Sequence, residues 1–185
     1  MRCSAAIGVG VVLLSTPLVA QTSRPFQFGI GGGMTFVTGE DRDFYKDGFN
    51  VQGTVSVDVP SLQIAARFDL MYHRLAGKEA AVGDSLVLGD FSVLAGALSA
   101  VYAFSPGASV RPFVSGGFGV YRSEAEAVLY GNPVSGSATD FGIVGGFGLQ
   151  FTAGRVRPYV EARVHNIFGD GGSEQLYPIT VGVFF

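Results

Sequence analysis

The chain is poor in cysteine, in charge and in long apolar runs. Its one cysteine among 185 residues is Cys3, so the rest of the chain can form no disulfide and supports no thiol chemistry. Charged residues make up 15%, with a formal net charge of −3 and no basic stripe of the kind that nucleic-acid binding needs. Beyond residue 20, no segment reaches the roughly 20 consecutive apolar residues of a membrane helix. These shortages exclude a disulfide scaffold, a thiol enzyme, a nucleic-acid partner and a helical membrane protein.

The first 20 residues have the layout of a secretory signal peptide. Arg2 precedes an apolar stretch from residue 5 to about residue 14, and Pro17 and the small residue Ala20 follow. This order of charged, apolar and small residues is typical of an export signal. We therefore expect a signal peptide at 1–20, a single domain at 21–185 and export from the cytoplasm.

The apolar content of the remaining chain lies in short alternating runs. The 28 glycines argue against a helical protein, because an interior glycine costs a helix about 1 kcal/mol relative to alanine. Period-two alternation is typical of strands with one apolar face. Eight such segments are predicted as strands, at 26–36, 49–59, 62–73, 90–104, 110–122, 140–152, 157–168 and 177–185.

The links between these segments alternate in length. Short turns are predicted at 60–61, 105–109 and 153–155, and longer polar loops at 37–48, 74–89, 123–139 and 169–176. Transmembrane β-barrels show this asymmetry, with short turns on the periplasmic side and long loops outside. An even number of strands then places both chain ends in the periplasm.

Alternation alone does not say which face of a barrel is inside, since a water-soluble barrel alternates too. Three features favour a membrane barrel. Strands of about ten residues can cross a bilayer at a steep tilt. The polar parity carries charged residues near strand centres, and the chain ends on an aromatic, Phe185. We therefore predict an all-β fold, an eight-stranded antiparallel up-and-down transmembrane β-barrel.

Three segments also resemble known proteins. RPFVSGGFGVY at 111–121, RPYVEAR at 157–163 and PITVGVFF at 178–185 resemble recurring pieces of the bacterial outer-membrane β-barrel domain superfamily, which includes OmpA-like and OmpX-like small barrels. The resemblance covers nearly all of the chain after the signal. It implies a place in the bacterial outer membrane, contact with its lipid, and recognition of Phe185 in the last strand by the barrel-assembly machinery.

Polar residues of inward parity form the main candidate site. The interior of an eight-stranded barrel is normally filled by side chains, so we expect a structural, ion-paired plug. A gated pore or a relay of ionisable groups is the alternative. The predicted polar network of the lumen contains Gln63, Arg67, Asp69, Tyr159, Glu161 and Arg163.

Two histidines, His73 and His165, also share the inward parity. Imidazole can serve as a metal ligand or a base, but a hydrogen-bonded structural role is favoured, because no third ligand follows at metal-site spacing. An outer-membrane lipid A deacylase would need a histidine with a serine on the lipid side, and Val164-His165-Asn166 does not offer that arrangement. We expect no catalytic residue, no metal and no cofactor.

The preferred function is non-enzymatic: a monomeric barrel of the cell envelope with a structural or surface-interaction role, carried by its long outer loops. Loops held by a rigid scaffold often carry function, which directs attention to the charged segments 39–43 and 170–174. A porin-like narrow channel for small solutes is the alternative, and a lipid-modifying enzyme is the third possibility.

Overall fold

The structure is a computed structural model that describes residues 26–38, 45–77, 86–104, 108–129, 132–169 and 172–185. The predicted signal peptide at 1–20 and the charged segment 39–43 lie outside the described residues. Eight strands make up nearly all of the described chain. They are β1 (Phe26–Val37), β2 (Gly48–Val59), β3 (Ile64–Leu75), β4 (Leu86–Ala103), β5 (Val110–Leu129), β6 (Asn132–Phe151), β7 (Arg157–Gly169) and β8 (Gly172–Phe184).

The strands form a closed antiparallel barrel, as the sequence predicts. Each strand pairs with its neighbours in the chain, and β1 pairs with β8 to close the sheet. Close backbone approach at this seam requires glycine. A Cβ added at Gly33 would meet the carbonyl group of Ile179 on β8, which explains a residue without a side chain at this position.

The residues predicted to face outward and inward lie on the expected faces of the barrel. Phe68, Leu70 and Ile143 lie on the outside, each about half exposed, while their strand neighbours Asp69 and Val144 are buried inside. An apolar exterior around a partly polar interior is the reverse of a soluble barrel and suits contact with lipid. The described residues contain no helix that is both long and apolar enough to cross a membrane.

The barrel has two different ends. We call the end with Phe26 and Phe185 the terminus end, and it also carries the three turns that join β2 to β3, β4 to β5 and β6 to β7. The first of these turns contains a short 3-10 segment, Pro60–Leu62. We call the opposite end, where the other four connections lie, the hairpin end.

At the hairpin end, the long links predicted between β1 and β2 and between β3 and β4 are confirmed, but those predicted at 123–139 and 169–176 are wrong. Most of the predicted loop at 123–139 is strand, because β5 and β6 stay paired as far as Leu129 and Asn132. Similarly, β8 begins at Gly172, so only two residues separate it from β7. The reason is that residues 123–127 and 132–140 are mostly small or polar, so they lack the apolar alternation by which a strand is recognised.

Candidate functional site

Four charged side chains meet in the middle of the barrel. Arg67 and Asp69 come from β3, and Glu161 and Arg163 come from β7 on the opposite wall. Arg67 Nη2 lies 2.8 Å from Glu161 Oε1, and Arg163 Nη2 lies 2.7 Å from Glu161 Oε2. Asp69 Oδ2 lies 3.0 Å both from Arg67 Nε and from Arg163 Nη1. Each arginine therefore contacts both carboxylates.

This charged network is shut off from solvent. The four side chains are between 0% and 3% exposed. Two guanidinium groups and two carboxylates balance in formal charge, which offsets part of the large cost of placing ions in a dry interior. The arrangement fills and crosslinks the bore, and it leaves no group of the network free for chemistry.

Neutral side chains complete the network. Ser115 Oγ donates to Glu161 Oε1 at 3.0 Å, and Thr54 Oγ1 donates to Asp69 Oδ1 at 2.6 Å. Gln52 Nε2 donates to the hydroxyl of the predicted residue Tyr159 at 2.6 Å. Sequence reasoning did not assign Gln52, Thr54 or Ser115 to the network. The inward parity of Gln52 and Thr54 could have identified these two residues, because polar residues alternate regularly along β2.

Gln63 is the exception among the predicted lumen residues. It is exposed, has a φ of 55° and lies in the turn before β3. The expected strand at 62–73 instead begins at Ile64, so the alternation of the strand does not extend to Gln63. Gln63 lines the mouth of the bore at the terminus end, but its placement in the central polar network is wrong, because a left-handed turn conformation breaks the period of two.

The two histidines lie one layer further toward the hairpin end. Both are buried, and their ring centroids are 5.6 Å apart. His73 Nδ1 and Thr35 Oγ1 form a hydrogen bond of 2.9 Å, and His165 Nδ1 pairs with the hydroxyl of Tyr121 at the same distance. Within the described residues, no three His, Cys, Asp or Glu side chains are placed to hold a metal ion.

An apolar layer closes the bore at the hairpin end. Its members are buried side chains from β1, β3, β4, β7 and β8, so that most of the barrel wall contributes: Val37, Leu75, Val93, Ile167 and Leu176. Tyr45 packs against this layer from the link between β1 and β2. Water and ions are therefore excluded at this level, above the charged network.

At the terminus end, by contrast, the bore is open. A cavity of about 450 Å³ lies there, lined in part by Arg67, Arg111, Arg157, Asp58 and Phe184. Phe185 lies outside, exposed, and its backbone N–H donates to the carbonyl oxygen of Phe28 at 2.8 Å. Recognition of Phe185 by an assembly machinery stays a prediction.

The sequence also matches a known family. The family model described as "Outer membrane protein beta-barrel domain" matches residues 6–183. The chain belongs to this outer-membrane β-barrel family. No curated protein is similar enough in sequence to count as a match. Membership agrees with the resemblance seen in the sequence and indicates the bacterial outer membrane as the location.

Solved structures of outer-membrane barrels share this fold. Neisserial surface protein A is 16% identical with a TM-score of 0.61, covering 87% of this chain and 96% of that one. Ail of Yersinia pestis, the attachment invasion locus protein, solved with the heparin analogue sucrose octasulfate, is 17% identical with a TM-score of 0.54, covering 88% and 100%. The outer-membrane enzyme PagL is 22% identical with a TM-score of 0.51, covering 86% and 98%. At these identities the likeness shows the fold alone, and barrels with this fold include both surface proteins and an enzyme.

Proposed function

We propose that this protein is a non-enzymatic outer-membrane barrel that binds a partner at the cell surface through a protruding sheet at its hairpin end. The observation that carries the proposal is the length of β5 and β6. Beyond the level at which β6 pairs with β7, the two strands continue as a ribbon from Ser123 and Ala138 to Leu129 and Asn132. The start of β4 pairs with this ribbon through Leu86, so three strands protrude.

One edge of this protruding sheet has no described strand beside it. The described pairing of β6 with β7 begins only at Phe141, so residues 133–140 of β6 pair with β5 and with no other described strand. An open edge presents unpaired N–H and C=O groups that an extended segment of another protein can bind as an added strand. Exposed side chains along this edge, such as Ser135, Ser137 and Thr139, are small and leave the backbone accessible.

The closed bore supports a surface role over transport. A solute would have to pass both the apolar layer around Leu75 and the charged network around Glu161, and both are buried and packed. A narrow channel for small solutes remains the alternative function, but it would require both layers to rearrange.

Nothing in the described part of the chain supports a lipid-modifying enzyme. The described nucleophile–base pairs are Thr35 with His73 and Tyr121 with His165. Both pairs face the bore and are buried, so lipid cannot reach them. The likeness to PagL concerns the fold alone.

A shortened ribbon tests the proposal. Deleting residues 124–137 and joining Ser123 to Ala138 by Asn-Gly, a pair of residues suited to a two-residue hairpin turn, removes the protruding edge. Bacteria that carry the intact or the shortened protein are incubated with immobilised host extracellular proteins, and retained cells are counted. We expect the intact protein to promote retention and the shortened protein to lose it.

The matched control is Arg74→Ala, which breaks the exposed ion pair of Arg74 with Asp90 at the same end but leaves the β6 edge intact. Both variants must remain folded in the outer membrane, as judged by their heat-dependent mobility on gels. Equal retention of cells with the intact and the shortened protein would refute a role for the ribbon.

A further inference from the structure

The cavity at the terminus end is a lined recess in the bore, separate from the protruding sheet. Its volume of about 450 Å³ falls within the range of small-molecule sites, which is roughly 300–1,000 Å³. It combines arginines, amide side chains and aromatic rings. The residues that matter most are Arg111, Arg157, Gln150, Asp58, Phe113 and Phe184.

The register of three neighbouring strands places two arginines on the same wall of this recess, with one strand between them. Arg111 on β5 is directly opposite Gln150 on β6, and Gln150 is opposite Tyr159 on β7. Arg157 lies two positions before Tyr159 and therefore shares its inward parity. Arg111 and Arg157 therefore lie on the two strands that flank Gln150, and all three residues line the cavity.

The charge of these two arginines is not balanced by the fold. Neither Arg111 nor Arg157 takes part in an ion pair among the described residues, and Arg111 Nε is buried without a hydrogen-bond partner. A third arginine in the lining, Arg67, is already paired with Glu161 and Asp69. A buried donor without a partner is costly, so a ligand that accepts hydrogen bonds from Arg111 would be favoured.

The opposite wall offers one carboxylate, that of Asp58. Asp58 Oδ2 accepts a hydrogen bond from Gln27 Nε2 at 3.0 Å. The recess therefore contains two unpaired guanidinium groups against a single carboxylate. Guanidinium groups bind carboxylate and phosphate oxygens through paired, charge-assisted hydrogen bonds.

The recess is closed at its inner end and partly apolar. Phe113 and Phe184 are both buried in its lining, and the charged network beyond them fills the bore. A ligand would enter and leave through the same opening, with an apolar part against the two rings and an anionic part against the arginines.

From this geometry we propose that the terminus end of the barrel is a binding site for a small organic anion, a carboxylate or phosphate attached to an apolar group. Arg111 and Arg157 bind the anionic oxygens, Gln150 donates from between them, and Phe113 and Phe184 contact the apolar group. In the orientation proposed above, this site opens to the periplasm.

The test uses the full barrel in phosphatidylcholine nanodiscs and follows the side-chain Nε–H signals of its arginines by NMR. Four probes are titrated: benzoate, phenyl phosphate, inorganic phosphate and the neutral benzyl alcohol. We expect benzoate and phenyl phosphate to shift the Arg111 and Arg157 signals saturably, inorganic phosphate to bind more weakly because it has no apolar part, and benzyl alcohol to leave the arginines unshifted.

The double variant Arg111→Gln/Arg157→Gln should weaken benzoate binding by about tenfold or more, which corresponds to about 1.4 kcal/mol. Benzoate binding to this variant is followed through the signals of Phe113. The control Arg155→Gln removes an exposed positive charge at the same end from outside the lining and should leave binding unchanged. Arg157→Lys keeps the charge but loses the planar fork and should bind with intermediate affinity. Unshifted Arg67 and Arg163 signals will show that each variant has kept its network.

Several results would overturn the proposal. One is a response to benzyl alcohol equal to that to benzoate, and another is unchanged benzoate binding in the double variant. A separate experiment repeats the titration with phosphatidylglycerol added to the nanodisc. If that lipid shifts both arginines and free benzoate shifts neither, the arginines bind membrane headgroups and the recess is not a site for a soluble anion.

Discussion

Arg67 and Glu161 join opposite walls of the barrel, although 94 positions separate them in the chain. Arg67 Nη2 donates to Glu161 Oε1 at 2.8 Å, and Arg67 Nη1 donates to Glu161 Oε2 at 3.2 Å. Because β3 and β7 are not neighbours in the sheet, this pair crosses the bore rather than following the wall. It makes the centre of the barrel a crosslinked plug.

Glu161 is the residue on which this plug most depends. It accepts from Arg67, Arg163 and Ser115, so Glu161→Gln leaves two buried guanidinium groups against the single charge of Asp69. Removing one partner of a buried ion pair costs about 3–5 kcal/mol. We expect a loss of that order in the free energy of unfolding, measured by urea titration in lipid vesicles.

The control for that measurement is Glu124→Gln. Glu124 pairs with Arg122 at 3.0 Å, but both side chains are more than half exposed, and exposed pairs contribute about 0–1 kcal/mol. If Glu124→Gln destabilised the barrel as much as Glu161→Gln, the central network would not be a special source of stability.

The bore should not conduct ions even when the charged network is damaged. Glu161→Ala empties space at one level, yet the apolar layer around Leu75 and Ile167 still seals the hairpin end. In planar bilayers we expect no steady conductance from the wild-type protein or from Glu161→Ala. Opening should require damage at both levels, as in Glu161→Ala combined with Leu75→Ser and Ile167→Ser. Well-resolved open channels from the wild-type protein would instead make the channel the preferred function.

The cost of placing a charged residue on the apolar exterior should depend on its depth in the bilayer. Phe68 is 48% exposed near the middle of β3, and Leu62 is 64% exposed in the turn at the terminus end. An arginine at the bilayer midplane costs about 2–4 kcal/mol and one near the interface about 0–1 kcal/mol. Phe68→Arg should therefore impair insertion into vesicles strongly and Leu62→Arg only slightly. The reverse order would mean that the membrane surrounds a different part of the barrel.

Tyr121 should contribute to the stability of the barrel through its hydroxyl group. Its bond to His165 Nδ1 lies in the bore, so Tyr121→Phe leaves a buried imidazole nitrogen without a partner, at about 1–3 kcal/mol. The comparison is Tyr177→Phe, because the hydroxyl of Tyr177 donates to Gln175 at the exposed surface and water can replace that bond. In detergent, Tyr121→Phe should have a lower melting temperature than Tyr177→Phe. Equal melting temperatures would contradict a structural role for the buried bond.

Much of this fold follows from the sequence, because strand alternation is a local property. The clean parity of β2, β3 and β7 identified the outward residues, such as Phe68, and the inward residues, such as Asp69 and Glu161. A side chain two positions along a strand must return to the same face. Local sequence therefore determined the number of strands, the face each residue takes and the polar character of the bore.

Only the tertiary structure decided which inward residues meet. Parity places Arg67 and Glu161 inside, but their contact depends on barrel closure and on the stagger between strands, which involve the whole sheet. Gln63 lies outside the network because its backbone has a positive φ in the turn. The alternation of the sequence does not reveal this conformation. The extension of β5 and β6 beyond the barrel also depends on pairing between strands. Residues 132–140 of this ribbon are mostly small or polar, so no apolar period in the sequence marks where those strands end.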